Sequence, residues 1–337
     1  MNQRLGKRSI LFSNPPAVLS YASVVGKKEG EGPLRHGFDA ISEDSYFGEK
    51  SWEMAESHML RQCAQLCFHK AGKTPIELDA VFAGDLLNQC VSSATAMKDS
   101  AIPYFGLYGA CSTMAEALTL ASCHVAAGYG DFCLALTGSH FCSAERQYRF
   151  PLEYGGQRTP SSQWTVTGSG AVLLGNSDTG VHIPIVTPGR IVDAGIKDPN
   201  AMGSAMAPAA LDTLCTHFSD TGRKPSDYDA IFTGDLGALG HDLLERQMVK
   251  QGYDMKLRYM DCGVLIYDLM TQDVNAGGSG CGCSASVLCG HILPCLEKGI
   301  WKRVLFAATG ALMSPTSSQQ GGSIPGICHA LVLERRD

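Results

Sequence analysis

Apolar residues along this chain follow two rhythms, and the same series of rhythms occurs twice. Trp52, Ala55, Met59, Cys63, Leu66 and Cys67 recur close to every 3.6 residues and predict a helix with one buried face. Gly72 and Pro75 end it. A short apolar run, Ala80 to Ala83, then predicts a buried strand that closes on Gly84-Asp85-Leu86. The second copy carries Gly222 and Pro225, then Ala230 to Thr233, closing on Gly234-Asp235-Leu236. The offset is 150 residues throughout, and a match of this length with a shared Gly-Asp-Leu ending marks an internal duplication.

Two further correspondences extend the repeat. Ala110-Cys111-Ser112 opens a helical stretch that runs to Gly128, and Phe132 to Thr137 predicts a buried strand. Gly282-Cys283-Ser284 likewise opens a helical stretch, and Val304 to Thr309 predicts its strand. Ala171 to Leu174 and Ala330 to Leu333 form a third apolar pair. Helices alternating with buried strands imply an α/β protein whose sheets are covered by helices. The halves divide at 1–180 and 181–337, with a hinge expected in the Gly-, Asp- and Pro-rich stretch from Gly175 to Pro188.

Composition changes this picture little. The 337 residues are 45% hydrophobic and 18% charged, which suits a globular protein with a full core. The net charge of −6 argues against binding a nucleic-acid backbone as the main role. The first residues carry Arg4, Lys7 and Arg8, but Asn14-Pro15-Pro16 interrupts the stretch from Ser9 to Ala22 that follows, which is not a clean apolar core of a signal sequence. No run reaches the roughly 18 apolar residues of a spanning helix. Action at a membrane would therefore run through a partner. The fourteen cysteines lie mostly inside apolar periodic segments and read as small buried hydrophobes of a reducing compartment. Cys281-Gly-Cys283 is too tightly spaced for a zinc ligand pair, and no metal or cofactor is expected.

Cys111 stands apart because it opens a helix. The positive end of the helix dipole and unpaired backbone N–H groups lower a thiol pKa and also favour a bound carboxylate. Ser112 and Thr113 share that helix start with it, and Cys281 to Ser284 form a second one. Asp85 and Asp235 end equivalent strands, where they either form turns or supply oxygens to a cation. His140 follows the strand ending Thr137-Gly138 and reads as a cap or a ligand contact. His241, six residues past Asp235, is a surface residue or a substitute base.

The order of these segments, with Trp164 to Leu174 containing Gly-Ser-Gly-Ala-Val-Leu-Leu, resembles thiolases and type III β-ketoacyl-ACP synthases. That resemblance implies a thiolase-like duplicated fold, layered αβαβα in two pseudo-symmetric halves. It also implies a homodimer formed through the strand before Cys111, Ile102 to Tyr108. In those enzymes Cys111 would be the acyl-carrying nucleophile, assisted by a His-Gln-Ala-Asn motif and a Gly-Asn motif. Here the first position reads Thr233-Gly234-Asp235-Leu236-Gly237, and Cys281 replaces the Asn. A carboxylate beside the thiol would raise its pKa and oppose the helix effect.

A narrower resemblance lies in Gly-Ala-Cys-Ser-Thr-Met-Ala-Glu-Ala-Leu (109–118), Gly-Gly-Ser-Gly-Cys-Gly-Cys-Ser-Ala-Ser (277–286) and Ala-Thr-Gly-Ala-Leu-Met-Ser-Pro-Thr (308–316). These strings are similar to the stage V sporulation protein AD family. The resemblance implies a non-catalytic protein of the spore inner membrane system that binds dipicolinate, pyridine-2,6-dicarboxylate. Calcium would enter only as part of the ligand chelate, and integral membrane subunits of the same system would be partners. The implied ligand contacts are Cys111, Ser112, Thr113, Asp85, Asp235, His140, His241, Cys281 and Cys283. The alternative is a Cys-nucleophile acyltransferase acting on acyl thioesters.

Overall fold

In the computed structural model, which describes residues 3–149 and 158–337, ten strands form the main path. We number them in chain order. The first half contributes β1 (Ala17–Gly26), β2 (Ala80–Gly84), β3 (Tyr104–Gly106), β4 (Cys133–Ser139) and β5 (Gly168–Gly175). The second contributes β6 (Gly180–Thr187), β7 (Ala230–Thr233), β8 (Tyr259–Asp261), β9 (Arg303–Ala311) and β10 (Gly326–Arg336). The spatial order is β8-β7-β9-β10-β6-β1-β5-β4-β2-β3.

The duplication is therefore written into the sheet. Each half runs first-fifth-fourth-second-third, from β1 outward and from β6 outward. Pairings match as well. β1–β5 and β5–β4 are antiparallel, while β4–β2 and β2–β3 are parallel. The corresponding pairs of the second half repeat those directions. A single register pair, His182↔Ala17, joins the two five-stranded units directly.

Strand alternation sends successive side chains to opposite faces, and here both faces are buried. In β4, Cys133 and Ala135 point into the core between the halves, while Leu134 and Leu136 point into an outer core. In β9, Val304 and Phe306 point between the halves and Leu305 and Ala307 outward. The inner core takes Met114, Ala117 and Leu118 from the helix Thr113–Ala126, together with Val287 and Leu288 from the segment after Cys281. The outer cores are closed by Trp52–Ala71 on one side and by Met202–Thr221 with Gly237–Lys250 on the other. The result is the five-layer αβαβα arrangement.

Local signals hold at most boundaries. Ser51 caps Trp52–Ala71 by accepting from the Met54 N–H, and Gly72 ends that helix in the left-handed conformation at φ 63°. The hinge expected at Gly175 to Pro188 is corrected: Gly180–Thr187 is β6, buried beside β10. Its Val181, Ile183, Ile185 and Val186 are core residues, and Pro184 sits where the register shifts between His182 and Ile185. A bulge tolerates proline because no ladder N–H is needed there. The strand predicted over Ile102 to Tyr108 shortens to Tyr104–Gly106, at the edge of the sheet.

Candidate functional site

The turn that carries Cys111 is strained and tightly held. After Gly109 the chain makes one 3₁₀ turn, Ala110–Ser112, before the helix Thr113–Ala126. Ala110 sits at φ 50°, a region that L-residues occupy only when the surroundings enforce it. Ser112 Oγ donates to the Gly109 carbonyl at 2.7 Å, and Thr113 Oγ1 donates to the Ala110 carbonyl at 2.6 Å. The Gly109 N–H in turn donates to Thr113 Oγ1 at 3.1 Å. Both residues, expected as ligand contacts, thus spend their hydroxyls on the turn. From the other half, Gly310 presses against it: a Cβ there would lie 2.4 Å from the Gly109 oxygen.

Cys111 is 5% exposed and looks toward the second half. Its Sγ is 3.9 Å from Ser279 Oγ, which donates to Asp235 Oδ2 at 3.1 Å. The Gly280 N–H donates to the same oxygen at 3.0 Å, and Thr309 Oγ1 donates to Oδ1 at 3.0 Å. Burial pushes the Asp235 carboxyl up to about 7, aided by the nearby Asp261 and opposed by its hydrogen bonds from Cys111, Gly280 and Thr309. Burial also raises the Cys111 thiol well above its ordinary value, and the Asp235 charge raises it further. The helix start favours a thiolate by at most a few kcal/mol. Burial together with a like charge outweighs it.

The second helix start lies beside the first. Gly280, at φ 98°, leads into Cys281–Val287, and a Cβ on Gly282 would meet the Gly168 oxygen at 2.2 Å. Cys281 packs with Cys111, Leu86 and Ala144, but its thiol donates to the Gly138 carbonyl at 3.0 Å. Cys283 turns into the inner core, with Sγ 3.6 Å from the Gly234 oxygen.

The other predicted residues are placed elsewhere. Asp85 forms its turn: Oδ1 accepts from the Leu87 N–H at 2.9 Å, and Oδ2 accepts from the Ser93 N–H at 2.8 Å and Ser93 Oγ at 2.7 Å. His140 caps the helix Phe141–Tyr148, accepting from the Cys142 N–H at 3.1 Å, while Nε2 meets the Ser45 oxygen at 2.7 Å. It borders a separate cavity with Lys28 and Glu29. His241 stacks on Tyr259 with ring centroids 4.2 Å apart, and its Nδ1 lies 3.5 Å from Asp242. None of these three lines the cavity at Cys111.

That cavity is narrow, about 50 Å³, and opens to solvent. Cys111 and Ser279 form part of it; Leu86, Ala144, Met202 and Met313 supply apolar wall; Tyr108 and Tyr148 supply aromatic wall. Among the described residues no histidine lines it. Tyr148 OH donates to the Leu86 carbonyl at 2.5 Å and stands 2.8 Å from Tyr108 OH. Glu145 and Arg149 complete one side. Sequence reasoning missed Tyr148, Glu145 and Arg149. Their i, i+4 spacing from Ala144 and from each other was the available signal, but nothing in one helix says which cavity its face meets.

Comparison with known proteins agrees with this architecture. In solved structures the chain is similar to 3-oxoacyl-[acyl-carrier-protein] synthase III from Aquifex aeolicus VF5, at 14% identity and TM-score 0.58, covering 95% of this chain and 99% of that one. It is also similar to the priming β-ketosynthase of the R1128 polyketide biosynthetic pathway, at 17% identity and TM-score 0.61, covering 99% of both. These likenesses establish a thiolase-like fold. Stage V sporulation protein AD of Bacillus subtilis (strain 168) is 43% identical over 330 residues, 98% of this chain and 97% of that protein. The model of that family matches residues 6–334, and the chain belongs to the stage V sporulation protein AD (SpoVAD) family of sporulation proteins.

Proposed function

We propose that this protein binds dipicolinate in the Cys111 cavity without turning it over, as part of the machinery that loads the compound into the developing spore and releases it at germination. The observation that carries this reading is the partner of Cys111. The thiol faces, through Ser279, a buried carboxyl in place of an imidazole. An acyl-transfer nucleophile needs a base to take its proton and donors to hold the oxyanion. Asp235 instead disfavours the thiolate, and the Cys281 thiol points at a carbonyl rather than into the cavity. What remains is a part-apolar, part-aromatic slot with a few polar groups, the usual form of a small-molecule site.

Free acid and calcium chelate are both ligand candidates, with the metal carried by the ligand. Asp85 and Asp235 are already engaged by internal donors, so the reading asks neither to hold calcium. No helix among the described residues is long and apolar enough to cross a membrane. Membrane subunits of the same sporulation system would then supply the passage. A homodimer through the edge strand β3 belongs to the same proposal, because Phe105 is 48% and Tyr108 43% exposed there. Sedimentation of Phe105→Asp as a monomer beside a dimeric wild type would support it, and an unchanged mass would remove it.

The test is calorimetric titration of dipicolinate, with and without calcium, into wild type and Cys111→Ala. Saturable binding that weakens in the variant supports the proposal. No binding to folded wild type in either condition refutes it. Acylation of Cys111 by an acyl-CoA, seen by intact mass, would favour an acyltransferase instead.

A further inference from the structure

The wall that carries Tyr148 also carries a charged pair whose hydrogen bonds are incompletely met among the described residues. The helix Phe141–Tyr148 and the residue after it present Ala144, Glu145, Tyr148 and Arg149 to the cavity. Glu145 and Arg149 are the only charged side chains among the described residues that line it. They form an ion pair of poor geometry, with Arg149 Nε 3.5 Å from Glu145 Oε2. Arg149 Nη2 reaches the Gln163 carbonyl only at 3.5 Å, and its Nη1 is buried without a partner among the described residues. Among the described residues every contact of this guanidinium is thus long or missing, although the side chain is only 15% exposed.

Glu145 is also shared. Arg158 Nη2 stands 4.0 Å from its Oε1, with the Arg158 guanidinium lying 4.0 Å from the Trp164 ring centroid and its own Nη1 without a partner among the described residues. Two guanidinium groups share the Glu145 carboxylate, and although Asp273 also lies within charge range of Arg158, Arg149 is left without a full set of acceptors among the described residues. A buried cation without full hydrogen bonding is costly, and an anion that supplies the missing acceptors relieves it. The tyrosines cannot do this work. Tyr148 spends its proton on Leu86, and Tyr108 has Tyr148 OH as its acceptor. Ser279 spends its proton on Asp235.

We infer that Arg149 is the carboxylate anchor and specificity-determining residue of the Cys111 cavity, selecting anionic ligands by a paired hydrogen bond to one carboxylate. The inference rests on the reading of this cavity as a ligand pocket, and it extends that reading to the class of ligand admitted. Glu145 and Arg158 act as positioning residues. Glu145 holds the guanidinium toward the cavity but too loosely to satisfy it, and Arg158 keeps Glu145 from neutralising it fully.

The experiment titrates three ligands of one shape into wild type, Arg149→Gln and Arg149→Lys, with folding checked by thermal unfolding. Dipicolinate and isophthalate carry two carboxylates on a six-membered ring, with and without the ring nitrogen. Pyridine-2,6-dicarboxamide keeps the shape without the charge. Arg149→Gln is expected to weaken the two dicarboxylates about 10- to 100-fold, the range of a charged hydrogen bond, and to leave the diamide unchanged. Arg149→Lys keeps the charge but not the fork and should fall between; it decides the matter if Arg149→Gln fails to fold. Equal dicarboxylate affinity in wild type and variants overturns the anchor while leaving dipicolinate binding standing. Arg149-dependent binding of isophthalate without binding of dipicolinate supports the anchor and overturns the proposed ligand. No binding of any carboxylate to folded wild type overturns both.

Discussion

Replacing Asp235 by Asn should awaken the thiol of Cys111 above neutral pH. The links from Cys111 Sγ to Ser279 Oγ, 3.9 Å, and from there to Asp235 Oδ2, 3.1 Å, set an upper limit of about 7 Å on the thiol–carboxylate separation. Two unit charges at that limit and an effective dielectric of about 20 repel by roughly 2.4 kcal/mol, so the thiol pKa rises by at least about 1.7 units. Asn can keep the Ser279 and Gly280 bonds through its carbonyl while removing the charge. The assay is the rate of Cys111 alkylation by iodoacetamide against pH, followed by peptide mass mapping because thirteen other thiols are present. The Asp235 carboxyl ionises near 7, so repulsion acts above that pH and fades below it. Asp235→Asn should therefore alkylate at least roughly 20-fold faster at pH 8.5 and converge with wild type toward pH 6. Profiles that run parallel from pH 6 to 9, or a variant no faster than wild type at pH 8.5, would refute the assignment of Asp235 as the group that silences the thiol.

Two other outcomes follow from buried carboxyls. Glu29, fully buried and hydrogen-bonded by Tyr267 OH and the Thr167 N–H at 3.0 Å, is pushed up to about 7 by burial. A carboxyl that stays neutral in the folded chain while the unfolded chain ionises loses stability as pH rises from about 4.5 to about 7. Glu29→Gln should remove that loss, so the urea stability of the variant relative to wild type should grow by about 3 kcal/mol across this window; a pH-independent difference would count against it. Asp85→Ala strands the Leu87 and Ser93 N–H groups and should cost roughly 2–4 kcal/mol in urea unfolding. It should weaken free and chelated dipicolinate equally; a loss confined to the calcium chelate would return Asp85 to the ligand site.

Much of this molecule was determined by its sequence alone. The two copies of Asp-Ala-x-Phe-x-Gly-Asp-Leu, 150 residues apart, became β2 and β7 in equivalent places of two equivalent sheets. The strand beginning at Ala230 ends at Thr233 as its apolar run predicts. Local periodicity sufficed because strands and helices bury one face for reasons contained within a few residues. The Gly180–Thr187 strand escaped that logic, since its proline is tolerated only through a bulge against β10.

The site was legible in part. Cys111 opening a helix, and Asp235 where an imidazole would be needed, are sequence facts. Their consequence required the fold. Only the packing of one half on the other brings Asp235 and Ser279 to the thiol and buries all three, and burial turns a favourable helix start into a suppressed nucleophile. Ser112, Thr113 and Asp85 looked like ligand donors because their hydroxyls and carboxylate were counted without their backbone partners. Arg149 drew no notice because an i, i+4 Glu–Arg pair on a helix is ordinary until tertiary structure shows a second arginine competing for the same glutamate. Sequence sets which groups a chain owns and the local shapes they take, whereas desolvation and unmet hydrogen bonds depend on what the rest of the chain leaves around them.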